Sequence, residues 1–230
     1  MKRGYLNHNV ADAVEMPKIK RNEMQVWNEV EINKFLESAK TSPYYELFNL
    51  ALFTGMRRSE LLGLQWKDID LVFGQISVNK GLHHLKDGSY VFTQTKSEKS
   101  RRTIALAPST CLMLKTLWER RVSESLLFGT TEDDDGLLSK TKVNDDSLLF
   151  SFPDGKPLRP NTITRAWENQ AIKAGVKVIR LHDARHTHAP IMLKQGIHPK
   201  IVQERLGHSS VTGRLKPATW GRFKSGHFGR

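Results

Sequence analysis

The spacing of apolar residues changes twice along this chain, and that change limits the folds open to it. In residues 28–64 apolar side chains recur every three or four positions, as Leu47 and Phe48 do relative to Ala51, which is the spacing of one helix face. Residues 75–106 instead hold short runs rich in Val, Ile and Thr between turn residues, a pattern typical of strands. Helical spacing returns after Pro108. The chain is therefore predicted to be mainly α with a small antiparallel β-sheet, an α+β fold.

Capping residues indicate where the predicted helices begin and end. Asn28 is a good N-cap, and Glu31 three residues later completes a capping box, so the first helix is expected to begin near Asn28. Gly175 and Gly207 are typical stop signals, because glycine readily adopts the left-handed conformation that ends a helix. The remaining helices are predicted at residues 44–53, 59–64, 110–122, 161–174, 182–196 and 199–206.

The predicted strands lie at residues 75–79, 90–95 and 102–106. The turn-forming sequence KDGS at residues 86–89 lies between the first two strands and predicts a turn there. Residues 129–147 contain the acidic run at 132–135 and show no clear period, so they are predicted to form a surface loop.

The charge balance indicates a polyanionic partner. The chain has 36 Lys and Arg residues against 24 Asp and Glu, a formal net charge of +12. A basic surface gains free energy when it releases the counterions condensed on phosphates, so nucleic acid is the favoured partner. The alternative is that the charge only keeps the protein in solution.

Cysteine content and hydropathy exclude several classes of protein. The single Cys excludes an internal disulfide framework and a Cys-based zinc site, and it fits a reducing compartment. No apolar run approaches the roughly 18 residues of a membrane span. The polar residues 4–10 do not form a signal-peptide core. We therefore expect a cytoplasmic protein with no membrane partner.

The first candidate site residue is Arg57. Gly55 permits a turn between two predicted helices, which places Arg57 at the start of the second, where a guanidinium can help to hold a phosphate. The alternative is a helix-breaking turn with solvated arginines.

The segment 181–189 carries a second candidate pair. His182 and Arg185 are three positions apart and share a helix face, where an imidazole beside a guanidinium suits a phosphate. A metal site formed by His182, His186 and His188 is a less favoured alternative, because no HExxH spacing is present. A solvated polar helix face is the other alternative.

Two further candidates are single residues. His208 follows the predicted helix stop at Gly207, although a histidine there is often only a capping or surface residue. Lys96 lies at a predicted strand turn, from which it can reach into a groove, although lysines also protect exposed strand edges.

Four motifs in order carry a family resemblance that covers roughly residues 25–210. This order closely resembles the tyrosine recombinase (phage integrase) family, and its catalytic domain in particular. The motifs are TGMRRSELLGLQWKDID at residues 54–70, Lys96 before RRTIAL at 101–106, LHDARHTHA at 181–189 and ERLGHSS at 204–210.

The resemblance implies a role for each candidate. Arg57, His182, Arg185 and His208 match family residues that stabilise the charge of an in-line phosphoryl transfer, and Lys96 matches the general acid towards the leaving 5′-hydroxyl. The family needs no metal or other cofactor. It acts by DNA strand breakage and rejoining through a phosphotyrosyl intermediate, in DNA integration and recombination. Basic neighbours expected to bind DNA are Arg58, Lys99, Arg101 and Arg102, with Lys99 also the fallback general acid.

The chain departs from the family pattern at the nucleophile. The family's tyrosine is expected nine or ten residues after His208, where this chain has Pro217 and Ala218. The tyrosines present are Tyr5, Tyr44, Tyr45 and Tyr90. We therefore expect an inactive recombinase, with a C-terminal segment that looks like the product of a frameshift. Pro190 is a second departure, because proline inside a helix removes a hydrogen bond and favours a kink.

The expected organisation is a linker from an upstream DNA-binding domain at 1–24, a catalytic domain at 25–210 and an atypical, disordered tail at 211–230. Two alternatives remain: a non-catalytic DNA-binding protein that acts at recombination sites, and a type IB topoisomerase-like enzyme. The expected partners are double-stranded DNA and further subunits, either copies of this chain or intact integrase. The resemblance also implies a bacterial, nucleoid-associated protein of a mobile element.

Overall fold

A computed structural model describes residues 25–94, 101–128, 130–132, 138–140, 143–194 and 196–207 of the chain. The predictions for the linker at 1–24, for Lys96, Lys99 and His208, and for the tail at 211–230 lie outside these residues.

Three short helices open the described fold. Helix α1 (Glu29–Ala39) begins with the predicted capping box: Asn28 Oδ1 accepts from the Glu31 N–H at 2.9 Å, and Glu31 Oε2 accepts from the Asn28 N–H at 2.8 Å. Helix α2 (Tyr45–Thr54) ends at Gly55. Helix α3 (Arg58–Leu62) follows after two more residues.

The strands between residues 69 and 105 form one three-stranded sheet and one two-stranded ribbon. Strands β1 (Ile69–Asp70), β2 (Gln75–Val78) and β5 (Arg102–Ala105) form an antiparallel sheet in the order β1-β2-β5. Strands β3 (Lys80–His84) and β4 (Tyr90–Gln94) form a separate ribbon, with His83 opposite Val91. The predicted turn at 86–89 is present, but it joins β4 to β3, a strand that was not predicted.

Close approach of backbone explains where β3 lies. A Cβ at Gly63, just after α3, would come within 2.7 Å of the Leu82 backbone nitrogen. A Cβ at Gly81 would lie 3.2 Å from Ser59 Oγ. Glycine at both positions therefore lets the ribbon pack directly against α3, next to Arg57.

The second half of the described chain is mostly helical. Helix α4 (Pro108–Phe128) continues beyond the predicted end at 122. The predicted loop at 129–147 contains two short paired strands, β6 (Thr130–Glu132) and β7 (Leu138–Lys140), so that prediction is wrong in part. Their pairing is made by backbone groups and needs no apolar period. Helices α5 (Pro160–Lys173), α6 (Leu181–Lys194) and α7 (Pro199–Leu206) complete the fold.

The helix boundaries near prolines have local causes. Helix α5 begins one residue before the predicted cap at Asn161, because Pro160 occupies its first turn after the N-cap Arg159. Helix α6 continues through Pro190 to Lys194.

The predicted α+β fold is confirmed, because helices are in the majority and every described strand pair is antiparallel.

An aromatic cluster forms the centre of the core. Trp167 of α5 stacks on Trp27 at 5.0 Å between ring centroids and contacts Phe35 at 4.5 Å and Phe48 at 5.4 Å. Helix α6 packs against α2 and α7, so the turn at Gly55, the start of α6 and the end of α7 lie side by side. None of the described helices is both long and apolar enough to span a membrane.

Candidate functional site

A basic cleft, in which Glu168 is the acidic lining residue, lies between α3, strand β3, helix α5 and the start of α6. Its volume is about 640 Å³. A larger cavity of about 730 Å³ lies between Trp66, Arg121 and Phe152, but it is lined by none of the predicted catalytic residues that the structure describes. The basic residues of the cleft are Arg57, Arg58, His83, His84, Arg180 and His182.

Arg57 owes its position to the turn that precedes it. Gly55 has a φ of 62°, which favours glycine, and a Cβ there would come within 2.5 Å of Leu206 Cδ2, so a larger residue would be strained and would have to displace that side chain. The Arg57 side chain is 37 % exposed and faces the cleft, with one nitrogen 2.7 Å from Glu60 Oε1. Its backbone N–H also donates to Glu60 Oε2, at 2.7 Å. The other guanidinium N–H groups can therefore reach a ligand in the cleft.

Glu60 is a buried carboxylate, 4 % exposed, that holds two guanidinium groups. Burial alone would raise the pKa of Glu60, but the hydrogen bonds and charge of Arg102, together with the hydrogen bonds of Arg57, lower it to about 2. The carboxylate is therefore charged at every physiological pH. Glu60 belongs to the motif at residues 54–70 but was not predicted to have a role, although its spacing of three from Arg57 was a usable signal.

Arg102 differs from the sequence prediction. It was predicted to bind DNA, but its side chain is 5 % exposed and pairs with Glu60 at 2.7 Å. Its Nε donates to the Arg205 carbonyl oxygen, at 2.7 Å. The guanidinium is turned into the protein because Glu60 lies beneath strand β5, while Arg101 stays exposed and donates to Gln94 Oε1 at 3.0 Å.

His182 lies in the first turn of α6 and lines the cleft with Arg57. Partial burial lowers the pKa of His182, and the positive charges of Arg185, Arg180 and Arg57 lower it further, against the opposing charge of Asp183. The imidazole is therefore mostly neutral at neutral pH. A phosphate in the cleft would favour the protonated form of His182, in which both ring nitrogens can donate a hydrogen bond.

Arg185 lies beneath the cleft rather than in it. Its side chain is buried, and Nη1 donates to the Gly55 carbonyl oxygen at 2.6 Å while Nη2 donates to the carbonyl of Leu206. It thus joins α6 to the turn before Arg57 and to the end of α7. Its charge still lowers the pKa of His182. A direct contact of Arg185 with phosphate stays a prediction.

Of the other predicted site residues, one lies at the cleft and three lie outside the residues that the structure describes. Arg58 is exposed at the cleft and donates to Thr164 Oγ1 at 2.8 Å. Lys96, Lys99 and His208 lie outside the described residues. Arg57, Arg58 and His182 are therefore the predicted site residues that the structure brings together.

His83 and His84 are cleft residues that sequence reasoning missed. They lie on β3, which was not predicted because its sequence contains Gly81 and two histidines and lacks apolar alternation. The adjacent histidines just before the 86–89 turn were the available signal. In the ribbon they face the same cleft as Arg57.

The alternative metal site has no support in the geometry. The rings of His182 and His186 are 5.6 Å apart at a near-perpendicular angle, and His188 is buried towards Gly55. Throughout the described ranges, no group of three or more His, Cys, Asp or Glu side chains is placed to hold a metal ion.

The sequence of the described region matches a known family. Residues 25–213 match the phage integrase family. The chain belongs to this family. It is 30 % identical over 208 residues to the ICEBs1 integrase of Bacillus subtilis, a match that covers 90 % of this chain and 53 % of that protein. It is 28 % identical over 198 residues to a XerC-like tyrosine recombinase of Caldanaerobacter subterraneus, covering 83 % of this chain and 49 % of that protein. This integrase-family chain thus spans about half the length of these curated relatives.

Solved structures of tyrosine recombinases share the fold. The XerA recombinase superposes with a TM-score of 0.64 at 23 % identity, covering 91 % of this chain and 68 % of that chain. The Tn1549 transposon integrase in complex with transposon right end DNA superposes with a TM-score of 0.70 at 20 % identity, covering 96 % and 67 %. At these identities the likeness establishes the fold of this tyrosine recombinase domain.

Buried His188 makes the stability of the domain sensitive to acid. Burial, followed by the charge of Arg205, lowers the pKa of His188 to about 3, although the Leu52 backbone favours the protonated form. Because an unfolded histidine has a pKa near 6.5, the unfolded state binds the proton first as the pH falls. The contribution of neutral His188 to stability is therefore fully present above pH 6.5. As the pH falls from about 6.5 to about 3, the free energy of unfolding should decrease by up to about 1.4 kcal/mol per pH unit.

Urea denaturation at a series of pH values checks this prediction. His188→Gln should remove most of the pH dependence of the free energy of unfolding at pH values above those at which Glu60 titrates. The smaller contribution of His182, which has the same sign, should remain. An unchanged pH profile in His188→Gln would show that another group is responsible.

Proposed function

We propose that this chain is the catalytic domain of a DNA integrase that binds double-stranded DNA through the cleft. The observation that carries the proposal is that Arg57 and His182, far apart in the sequence, line one basic cleft. The net charge of +12 and the family membership support it. In this role Arg57 and Arg58 hold a phosphate while His182 donates a hydrogen bond to it.

The proposed chemistry is phosphoryl transfer without a bound metal. In the family's reaction a tyrosine oxygen bonds to phosphorus as the bond to the 5′-oxygen breaks. Given such a nucleophile, Arg57, His182, Arg185 and His208 would stabilise the negative charge that develops on the phosphorus oxygens, and Lys96 would protonate the leaving 5′-oxygen. For Arg185 to contact the phosphate, an N–H group of its buried guanidinium other than those bonded to the Gly55 and Leu206 carbonyls must reach the cleft. Because Pro217 and Ala218 stand where the family's tyrosine is expected, we propose that this chain alone does not form the phosphotyrosyl intermediate.

A non-catalytic role at recombination sites is the second candidate. The sequence after His208, which lacks the nucleophile, favours it, whereas the matches to integrases disfavour the topoisomerase-like alternative. The lambda integrase has been solved as a tetramer bound to a Holliday junction and as a dimer bound to a core site. By analogy, we propose that this chain associates with copies of itself or with intact integrase subunits on DNA, at the bacterial nucleoid.

The salt dependence of DNA binding tests the proposed function. Fluorescence anisotropy with a labelled duplex should show log affinity falling linearly with log salt, with a slope of about −0.9 for each phosphate contacted. Arg57→Ala should weaken binding and make the slope shallower by about one contact. The control is Arg120→Ala, which removes an exposed arginine that lies outside the cleft. Absence of binding at about 50 mM salt, or equal effects of the two variants, would refute the proposal.

A further inference from the structure

The carboxylate of Glu60 bridges two arginines of different exposure. Oε1 accepts from Arg57 Nη1 at 2.7 Å and from Arg102 Nη1 at 3.1 Å. Oε2 accepts from the Arg57 backbone N–H at 2.7 Å and from Arg102 Nη2 at 2.7 Å. Glu60 and Arg102 are buried, whereas Arg57 reaches the cleft. The orientation of Arg57 therefore depends on a carboxylate that Arg102 holds from the other side.

The charge of this trio matters for an anionic ligand. Glu60 alone would neutralise Arg57, so that the pair would attract a phosphate weakly. Arg102 supplies the second positive charge, and the trio of Arg57, Glu60 and Arg102 keeps a net positive charge next to the cleft.

Arg102 also contacts the end of helix α7. Its Nε donates to the Arg205 carbonyl oxygen at 2.7 Å. Gly207 has a φ of 61°, and a Cβ at that position would lie 3.3 Å from Arg102 Cδ and 3.4 Å from Nη1. The guanidinium thus packs against the backbone that directly precedes His208 in the sequence.

We propose that Arg102 is a positioning residue that couples the orientation of Arg57 to the end of α7. The proposal rests on the proposed function, since its consequence is that Arg57 is held in the orientation in which it contacts a phosphate in the cleft. Arg102 acts through Glu60 and the Arg205 carbonyl, without touching DNA. The planar guanidinium is required because it donates to both carboxylate oxygens and to the carbonyl at once, which a lysine cannot do.

The coupling is tested first without DNA, by NMR of ¹⁵N-labelled protein. In Arg102→Ala both the Arg57 Nε–H signal and the Gly207 amide signal should shift from their wild-type positions. In Arg102→Lys, which keeps the charge beside Glu60, the Gly207 signal should still shift while the Arg57 signal moves less; this variant also serves if Arg102→Ala does not fold. The control Arg120→Ala breaks an exposed Arg–Glu pair and should move neither signal. An unchanged Arg57 or Gly207 signal in a folded Arg102→Ala variant would overturn the proposal.

The salt dependence of DNA affinity then separates positioning from direct contact. If Arg102 acts through Arg57 and does not touch DNA, the double variant Arg57→Ala/Arg102→Ala should keep the salt slope of Arg57→Ala, although its affinity should fall because the carboxylate of Glu60 is then unpaired beside the cleft. A further loss of slope of about 0.9 in the double variant would show that Arg102 contacts a phosphate itself and would overturn the proposal. If the wild-type chain binds no DNA, the proposed function fails, and the NMR signals still decide whether Arg102 couples Arg57 to Gly207.

Discussion

Replacement of Glu60 by Ala is expected to lower the free energy of unfolding by about 3–5 kcal/mol. The substitution leaves the buried guanidinium of Arg102 without its carboxylate, and an uncompensated buried charge is far more costly than a lost surface pair. It also frees the backbone N–H of Arg57 from its acceptor. Urea denaturation monitored by tryptophan fluorescence measures the loss.

Glu37→Ala is the matched control for this prediction. Glu37 pairs with Lys40 at 2.7 Å on the surface of α1, where both side chains are exposed. Such a pair contributes about 0–1 kcal/mol, so this variant should unfold close to wild type. Equal destabilisation by the two substitutions would contradict the assigned role of Glu60 as the buried partner of both arginines.

No covalent protein–DNA adduct is expected from the unmodified chain, and a Tyr-bearing C-terminal segment is expected to restore one. The substrate is a duplex with a nick near the cleaved phosphate, because loss of the short strand traps the adduct on a denaturing gel. Arg57 can stabilise the transition state in either protein, but only a positioned tyrosine can attack. The repaired protein carries the segment of a matched integrase in place of residues 211–230.

Dependence on Arg57 is the control for the restored reaction. Arg57→Ala in the repaired protein should slow adduct formation by about 10²–10³-fold, the usual effect of removing one group that stabilises a developing oxyanion. An adduct formed by the unmodified chain and abolished by Arg57→Ala would contradict the account. It would direct attention to Tyr90, the tyrosine nearest Lys96 in the sequence.

Local signals in the sequence predicted the helices well and the ribbon poorly. The capping box at Asn28 and the glycine stops at Gly55 and Gly207 act within one turn, so they are visible in the sequence. Strand β3 has no such signal. Its position depends on packing against α3 through Gly63 and Gly81, contacts between parts of the chain that only the folded structure brings together.

In the site, too, residues within local motifs were predicted, whereas contacts between distant parts of the chain were not. Arg57 and His182 were predicted because each belongs to a motif, and the fold brings them to one cleft. Arg102 was predicted to bind DNA because it is charged, and its position in strand β5 was not considered. In β5 it alternates with Thr103 and shares the inner side with Ile104, a period of two that predicts an inward side chain. Glu60 accepts the hydrogen bonds that make this burial possible, but it lies on helix α3. The sequence around Arg102 therefore does not indicate its partner.

Chemical-shift mapping of the ¹⁵N-labelled chain with a short DNA duplex tests the central claim most directly. If the cleft holds the phosphate, the largest shifts should occur in the side chains and amides of Arg57, Arg58, His83 and His182, and they should disappear at high salt. The larger cavity, with Arg121 and Lys156 in its lining, serves as the internal comparison. Shifts concentrated around Arg121 and Lys156, with the cleft residues unchanged, would contradict the assignment of the cleft as the DNA-binding site.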